Sequence, residues 1–318
     1  MLPCHGPPGP DGRSAGSDTA MIWVWVTVGA VIAQTIRFML QKQLRGATLS
    51  TAGATFARFI YSAPLVALLA WGYAHATGQG TPVPHRFWAF AIAGGFTQIL
   101  ATMCVVALFT QRNFAVGLTF MKTEVLMAAL LSIVVLGEGL PVLAWVALVL
   151  GLPGIVLLSD APAAHGPWYR RIVNRGSGLG LASGVLFAVS SVGYRGASTS
   201  LPEGDAFFRA ILTLAVVTLF QVAIMTVWLT FREPGQIGRV LRAWRVAGLV
   251  GLTSMAGSVC WFVAFTLQTV ALVKGVGQIE LGLSLLVGWA VFGERITTRE
   301  WQGLILLTAS VMMLVLAD

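Results

Sequence analysis

Long apolar segments separated by short polar ones run through almost the whole chain. A helix that crosses the hydrocarbon core of a bilayer needs about 20 predominantly apolar residues. By this measure the pattern predicts an all-α integral membrane protein with ten transmembrane helices, at residues 22–41, 52–74, 88–109, 114–136, 141–158, 179–200, 206–230, 244–268, 270–292 and 299–316. Residues 1–20, rich in glycine and proline, are expected to form a disordered N-terminal extension.

The apolar pattern occurs twice. Residues 114–138 recur without a gap as residues 270–294, at an offset of 270 − 114 = 156 positions. We therefore predict a first repeat of five helices at 21–158, a polar linker at 159–178 and a second repeat of five helices at 179–318. Because five is odd, the second repeat must be inverted relative to the first, an arrangement found in many secondary transporters.

Each copy of the repeated segment carries one glutamate deep in apolar sequence, Glu124 and Glu280. A charge at the centre of a membrane helix costs about 2.5 to 3.5 kcal/mol on insertion scales, so such a residue normally faces the bundle interior or a wet cavity and has a partner. We predict that these glutamates bind the amine of a substrate or carry a coupling proton. A structural ion pair that joins the repeats is the open alternative.

Lys122 lies two residues before Glu124, on a different side of a continuous helix, so the two should not pair with each other. A partner in the opposite repeat is expected for either of them. Gln278 occupies the position of Lys122 in the second repeat, which predicts an asymmetric substrate pocket.

Arg58 and Arg209, which a small shift in register pairs between the repeats, lie one or two turns inside their spans. A guanidinium presents a rigid fork to a carboxylate or phosphate, so together with Lys122 they are candidates for binding an anionic group. Snorkelling to the membrane surface is the competing interpretation. Three further candidates could line a cavity: Tyr61, Gln98 and Trp261.

Other polar residues receive a structural interpretation. We interpret Arg37, Arg195 and Lys274 as snorkelling residues near span ends, and Ser254 with Ser258 as a close helix contact. Glu138 and Glu294 are expected to stay at the surface and to orient the helix that follows.

Composition supports a membrane protein, since 57% of the residues are hydrophobic and 10% are charged, with a mean hydropathy of +0.82. The net charge of +8 does not indicate nucleic-acid binding, because lysine and arginine lie mostly at the ends of apolar segments, where they orient helices. The three cysteines form no CxxC pair, and no metal site or cofactor is expected. The sequence also lacks GxxxxGK[ST], HExxH, GxSxG and DDxxD, which excludes an ATPase within this chain and makes an enzyme the weaker choice.

Several segments resemble a known family. Three segments are similar to the two EamA repeats of the drug/metabolite transporter superfamily: RFIYSAPLVALLAW, the LGE turn that ends at Glu138 and the FGE turn that ends at Glu294. A tryptophan follows each of the two turns seven residues later. The resemblance covers residues 22–316. It implies a ten-helix inverted-repeat carrier in the plasma membrane that exports or exchanges small metabolites. It also implies that both termini are cytoplasmic, whereas the excess of lysine and arginine in the 1/2, 3/4, 5/6, 7/8 and 9/10 loops predicts both termini outside.

Together these features predict a secondary active transporter for a small polar or charged metabolite, amino-acid-like or carboxylate-like, that works by alternating access. H⁺ is a possible coupling ion, and no oligomeric state is predicted. A flippase for a lipid-linked sugar or headgroup is the second choice. A membrane enzyme would convert a substrate without two separated pools, and a receptor would bind a ligand without counterflow.

Overall fold

The computed structural model describes residues 14–47, 49–108, 120–158, 175–283 and 297–317, without the side chains of 14–20 and 42–47. Within these ranges the chain is helical and contains no strand. The helices are α1 (Ser14–Ala47), α2 (Thr51–Thr77), α3 (His85–Leu108), α4 (Glu124–Leu131), α5 (Val142–Leu158), α6 (Arg175–Ser200), α7 (Ala206–Arg232), the short α8 (Gln236–Arg242), α9 (Trp244–Leu267), α10 (Val270–Gly277) and α11 (Thr298–Leu316).

Seven of these helices are long and apolar enough to cross a membrane, namely α2, α3, α6, α7, α9, α11 and the part of α1 at Met21–Gln41. The apolar helices Glu124–Leu136 and Val142–Leu158 are shorter. The predicted spans at 114–136 and 270–292 begin or end outside the described residues. Most of the predicted N-terminal extension and most of the predicted linker also lie outside the described residues. The structure describes their last residues, because α1 begins at Ser14 and α6 begins at Arg175.

The sequence pattern predicts one continuous helix for the repeated segment. In the structure a short turn interrupts the regular α-helix of each copy at the same place, although the backbone angles there remain helical, and we call this turn the helix break. The turn at Lys122–Thr123 precedes α4, and the turn at Gln278 follows α10. At each break a backbone amide donates to the carbonyl three residues before it, instead of four: Val125 N to Lys122 O at 3.5 Å, and Leu281 N to Gln278 O at 3.0 Å. These two bonds are 156 positions apart, so the break belongs to the repeat itself.

Close packing against glycines accompanies both breaks. A Cβ on Gly184 of α6 would lie 2.8 Å from the carbonyl oxygen of Met121, so that only glycine allows α6 this near the first break. At the second break, a Cβ on Gly277 would lie 2.8 Å from the ring of Trp261. The breaks are therefore buried between helices, where irregular backbone is tolerated in a membrane protein.

The two repeats pack mainly against each other. Helix α3 packs on α6 and α1 on α9; α2 packs on α7 and α5 on α11; α4 packs on α6 and α1 on α10. The helices of the two repeats correspond as α1 to α6, α2 to α7, α3 to α9, α4 to α10 and α5 to α11. When each helix is replaced by its counterpart, every one of these contacts becomes another contact of the set or remains the same contact. The packing therefore has an approximate twofold relation, and the interior lies between the repeats.

The helix caps correct one predicted pairing. Ser50 caps α2 by accepting from Gly53 N at 3.0 Å, and Asp205 caps α7 by accepting from Phe208 N at 2.7 Å. These caps align the two helices with an offset of 205 − 50 = 155 positions. Arg58 is then the counterpart of Thr213, not of Arg209, because Arg58 is two turns into its helix and Arg209 one.

Candidate functional site

Two ion pairs cross between the repeats at the helix breaks. Lys122 Nζ lies 2.7 Å from Glu280 Oε2, and Lys274 Nζ lies 2.5 Å from Glu124 Oε1. All four side chains are nearly buried, with 8% to 14% of their surface exposed. The expectation that Lys122 and Glu124 find partners in the opposite repeat is confirmed. Each glutamate follows the break of its own repeat, so the pairs join the two interrupted segments directly.

Lys274 is not a snorkelling residue, which corrects the prediction from its place near a span end. Besides Glu124, its ammonium faces three aromatic rings, with Nζ 4.6 Å from the ring centre of Trp261, 5.5 Å from Phe265 and 5.9 Å from Phe187. Aromatic faces attract a cation, and more strongly where water is excluded. The ammonium therefore lies inside the bundle. The pair is close but lacks hydrogen-bond geometry, so Glu124 Oε1 accepts no hydrogen bond from the described residues.

A cavity borders the crossed pairs, and we call it the ion-pair cavity. The volume free of protein atoms in this cavity, together with its opening to solvent, is about 400 Å³. Its lining includes both pairs and Gln278. Gln278 Nε2 donates to Lys274 O at 3.2 Å, whereas Gln278 Oε1 has no donor in the described part of the chain. The predicted site residues Lys122, Glu124, Gln278 and Glu280 thus lie together.

A second cavity, which we call the arginine cavity, holds about 580 Å³ by the same measure. Arg58 and Lys274 are the charged residues of its lining, and both are cations. Gln34, Phe187, Trp261 and Lys274 line both cavities and so form the wall between them. Trp261 Nε1 donates to Gln34 Oε1 at 3.2 Å within this wall.

Arg58 is buried and contacts neutral groups. Nε donates to Ser254 Oγ at 2.9 Å and Nη1 to Thr102 Oγ1 at 3.1 Å. Gln98 presents its amide oxygen to Nη1 at 3.1 Å and Nη2 at 2.9 Å, the orientation that also lets its nitrogen donate to Ser190. Four of the five N–H groups of the guanidinium are then used, and no carboxylate within the described residues neutralises its charge.

The contacts of Arg58 follow the repeat. Gln98 and Ser254 are 156 positions apart, as are Thr102 and Ser258, and Ser258 also lines the arginine cavity. Arg58 therefore lies between equivalent positions of α3 and α9. Ser254 and Ser258 are site residues that the sequence analysis interpreted as helix packing. Their offset from Gln98 and Thr102 is the signal that could have identified them.

Arg37 is a further buried cation, with 3% of its surface exposed, so that its interpretation as a snorkelling residue is wrong. Its guanidinium lies over the ring of Phe38, and Nη1 has no acceptor among the described residues. Arg58 and Glu280 both act on it electrostatically. Four cations (Arg37, Arg58, Lys122 and Lys274) against two anions (Glu124 and Glu280) leave an excess of two positive charges around the cavities.

Arg195 and Glu138 form a third ion pair, which corrects two predictions. Arg195 Nε lies 2.6 Å from Glu138 Oε1, and its Nη1 donates to the carbonyls of Phe265 and Gln268, both at 2.6 Å. The arginine does not snorkel and the glutamate does not remain a free surface residue. The pair ties α6 to the chain after α4 and to the end of α9. Glu294, the counterpart of Glu138, lies outside the described residues.

Two predicted site residues lie away from both cavities. Tyr61 directs its hydroxyl to the carbonyl oxygen of Val240, at 3.2 Å. Arg209 is in the first turn of α7, close to Asp205. Gln98 and Trp261, in contrast, line the arginine cavity as expected. No group of metal-ligating side chains is found in the described ranges.

Comparison with known proteins identifies the family. A solved crystal structure superposes with a TM-score of 0.66 at 15% identity, over 93% of this chain and 96% of that chain, which shows a shared fold. No curated protein matches by sequence. The model of the EamA-like transporter family matches residues 21–160 and 174–316, which correspond to the two repeats. The chain is a multi-pass membrane protein that belongs to the EamA-like transporter family.

Proposed function

We propose that this protein is a secondary active transporter that moves a small polar or charged organic metabolite bearing a carboxylate across the plasma membrane. In this proposal ten helices form two inverted repeats, and alternating access to the cavities between them gives export or exchange. The observation that carries the proposal is the pair of crossed Lys–Glu contacts at two helix breaks, beside a polar cavity with excess positive charge.

Interrupted helices at a repeat interface are typical of substrate and coupling-ion sites in secondary transporters. Here each break places a glutamate of one repeat against a lysine of the other. A rocking motion of the repeats changes the distance across these pairs. The pairs therefore provide a charge contact that can be exchanged for substrate or proton as the repeats move.

In this proposal the coupling proton is carried by a glutamate of the crossed pairs. Among the described residues, Lys274 is the cation that forms an ion pair with Glu124, and Glu124 Oε1 accepts no hydrogen bond there. An anion that draws Lys274 away from Glu124 leaves a buried carboxylate without its cation. A buried charge without a partner is costly, and a proton bound to that carboxylate would remove the charge, so this proposal links substrate entry to proton uptake.

The test is counterflow in proteoliposomes with a panel of labelled carboxylates, amino acids, sugars and nucleosides, with and without a pH gradient. We expect saturable counterflow of one carboxylate-bearing class. Glu124→Gln should abolish the response to the pH gradient and lower counterflow at least about tenfold, since an unpaired Lys274 remains in the wall. The matched control is Glu203→Gln, which makes the same chemical change on the exposed loop before α7.

Normal transport by Glu124→Gln and by Glu280→Gln at every pH would remove the glutamates from the mechanism. Folded protein that shows no counterflow with any class would overturn the proposal as a whole.

A further inference from the structure

The arginine cavity has a charge composition that does not suit an amino acid. Among the described residues, its charged lining consists of Arg58 and Lys274, with neither aspartate nor glutamate. An α-ammonium group bound there would need a carboxylate within the cavity, because burial of an unpaired charge is costly. The two nearly buried carboxylates at the helix breaks, Glu124 and Glu280, border the other cavity and are already paired with lysines.

The far side of the same cavity is aromatic. Trp261, Phe262 and Phe265 of α9 line it together with Phe187 of α6. The rings of Trp261 and Phe265 stack with centres 5.6 Å apart, which gives a flat apolar wall. Trp261 follows Ser254, the partner of Arg58, by seven residues, which places it about 10 Å further along α9. The two ends therefore differ in how their cations are balanced: Arg58 has no carboxylate partner among the described residues, whereas Lys274, whose ammonium lies against the aromatic rings, is paired with Glu124.

From this division we infer that the arginine cavity binds an apolar monocarboxylate without an ammonium group, such as an aryl-substituted short-chain acid. The carboxylate takes the guanidinium of Arg58, whose charge has no protein counter-ion in the described chain, and the apolar body packs on the aromatic wall. This inference rests on the proposed transport function and narrows its substrate class from carboxylate-bearing metabolites to organic anions.

Arg58 is suited to this exchange of partners. Its hydrogen bonds go to two hydroxyls and one amide, all neutral. A charged acceptor makes a stronger bond to a guanidinium than a neutral one does, so a carboxylate can displace the amide of Gln98. Gln98 keeps its contact with Ser190 and can move without leaving a buried charge behind.

Three solutes with one skeleton test the inference. Phenylalanine carries both groups, 3-phenylpropanoate lacks the ammonium, and 2-phenylethylamine lacks the carboxylate. Purified protein in detergent is titrated with each, with ligand-induced thermal stabilisation as the readout, because this measurement is independent of leakage through a bilayer. We expect 3-phenylpropanoate to bind at least about tenfold more tightly than phenylalanine, and the amine not to stabilise the protein.

The variants locate the effect. Arg58→Gln should abolish stabilisation by 3-phenylpropanoate, while Arg58→Lys, which keeps the charge without the fork, should retain part of it. Arg239→Gln removes one positive charge from the exposed helix α8 and should bind as the unaltered protein does. Counterflow of labelled 3-phenylpropanoate, corrected with protein-free liposomes, then links binding to transport.

The outcomes separate this inference from the proposed function. Tighter binding of phenylalanine than of 3-phenylpropanoate overturns the inference and leaves a carboxylate transporter intact. Counterflow of some other panel solute without binding of 3-phenylpropanoate does the same. Binding that Arg58→Gln does not weaken places the anion elsewhere and also overturns it. Absence of counterflow for every solute overturns the transport proposal itself.

Discussion

The two cavities share a wall but differ in how their charges are balanced. In the ion-pair cavity each buried lysine has a glutamate from the other repeat within 2.7 Å. In the arginine cavity Arg58 is surrounded by hydroxyl and amide groups. Matched charges hold two elements together, whereas an unmatched one attracts a ligand of opposite sign. Mutations in the first cavity should therefore cost more stability than mutations in the second, in addition to their effect on transport, whereas mutations of Arg58 should act mainly on binding.

The largest effect on stability is expected from Glu280→Gln. This change leaves Lys122 charged and nearly buried with its partner gone, at a cost of about 3 to 5 kcal/mol. Adding Lys122→Met removes the stranded charge and should recover most of the loss, because the pair contributes little beyond the cost of burying its two ions. Thermal unfolding of the two single variants and the double variant in detergent forms a cycle that measures the coupling.

Independent losses would contradict the prediction. If the double variant were destabilised by the sum of its two single changes, Lys122 and Glu280 would not stabilise each other, and the contrast between the cavities would fail.

The second prediction concerns Arg58→Met in the arginine cavity. No charge is stranded by this change, so we expect a stability loss of about 1 to 3 kcal/mol, from hydrogen-bonding groups such as Ser254 and Thr102 that lose a donor. Transport should nevertheless fall at least as far as in Glu280→Gln. Arg209→Met, at the position that sequence register pairs with Arg58, should lower transport far less.

Counterflow normalised to folded protein checks this prediction. Equal losses in Arg58→Met and Arg209→Met would mean that the guanidinium in the cavity has no special part in transport.

The third prediction tests the helix break beside the ion-pair cavity. Gly184→Ala places a methyl group 2.8 Å from the Met121 carbonyl, so α6 or the break must shift, at a cost of about 1 to 3 kcal/mol. Gly178→Ala makes the same substitution on the same helix where a Cβ meets nothing within 4 Å, and should be neutral or stabilising by up to about 1 kcal/mol. Thermal unfolding of both variants provides the comparison, and equal midpoints would show that the break is not tightly packed.

Hydrophobic length and spacing, which are local signals, predict much of this molecule. They place most helices within a few residues, and they identify the repeat and the two buried glutamates. They also indicate that a carboxylate at membrane depth needs a partner, and because Lys122 and Glu124 point to different sides of their helix, the other repeat is one place for the partner of either. The FGE and LGE turns add the family, which the match to both repeats confirms.

The break in the first copy of the repeated segment could not be predicted from that copy. The polar residues within 114–136 are Thr119, Lys122, Thr123, Glu124 and Ser132, and the segment contains neither proline nor an interior pair of glycines. The break depends on contacts made by a different helix, such as the approach of Gly184 to Met121. Tertiary packing overrides helix propensity here, as it commonly does.

The distance of a residue from the end of its predicted span also did not predict whether its side chain is buried. Lys274 is one turn from the predicted start of its span, and Arg37 is near the predicted end of its own. The sequence therefore predicts that both side chains extend to the membrane surface. In the structure α10 and α1 pack on each other, and both cations face the interior. Arg58 and Arg209 show the related error, in which two residues with similar neighbours in sequence differ by one helical turn.

The smallest expected effect lies outside both cavities, at Asp205, where charge is again matched to its surroundings. Gln79 donates to Asp205 Oδ2 at 2.6 Å, Tyr73 donates to the same oxygen at 2.9 Å, and Phe208 N donates to Oδ1 at 2.7 Å. These bonds, that of Gln79 first, lower the pKa of the carboxyl below its ordinary value. Because the pKa is lowered in the folded protein, the stabilisation is present above the unfolded pKa, about 3.9, and is lost as the pH falls through the folded value.

Asp205→Ala should therefore cost about 1 kcal/mol at neutral pH, through loss of the helix cap and of the bonds that Gln79 and Tyr73 donate to the carboxylate. The difference from the unaltered protein should shrink as the pH is lowered below about 4, and Asp205→Asn, which can still cap the helix, should lie between the two. Thermal midpoints measured from pH 7 down to pH 3 provide the check. Transport at pH 7 should be unchanged, since Asp205 touches neither cavity; a loss of transport without a loss of stability would show that this outer contact, too, takes part in the motion of the repeats.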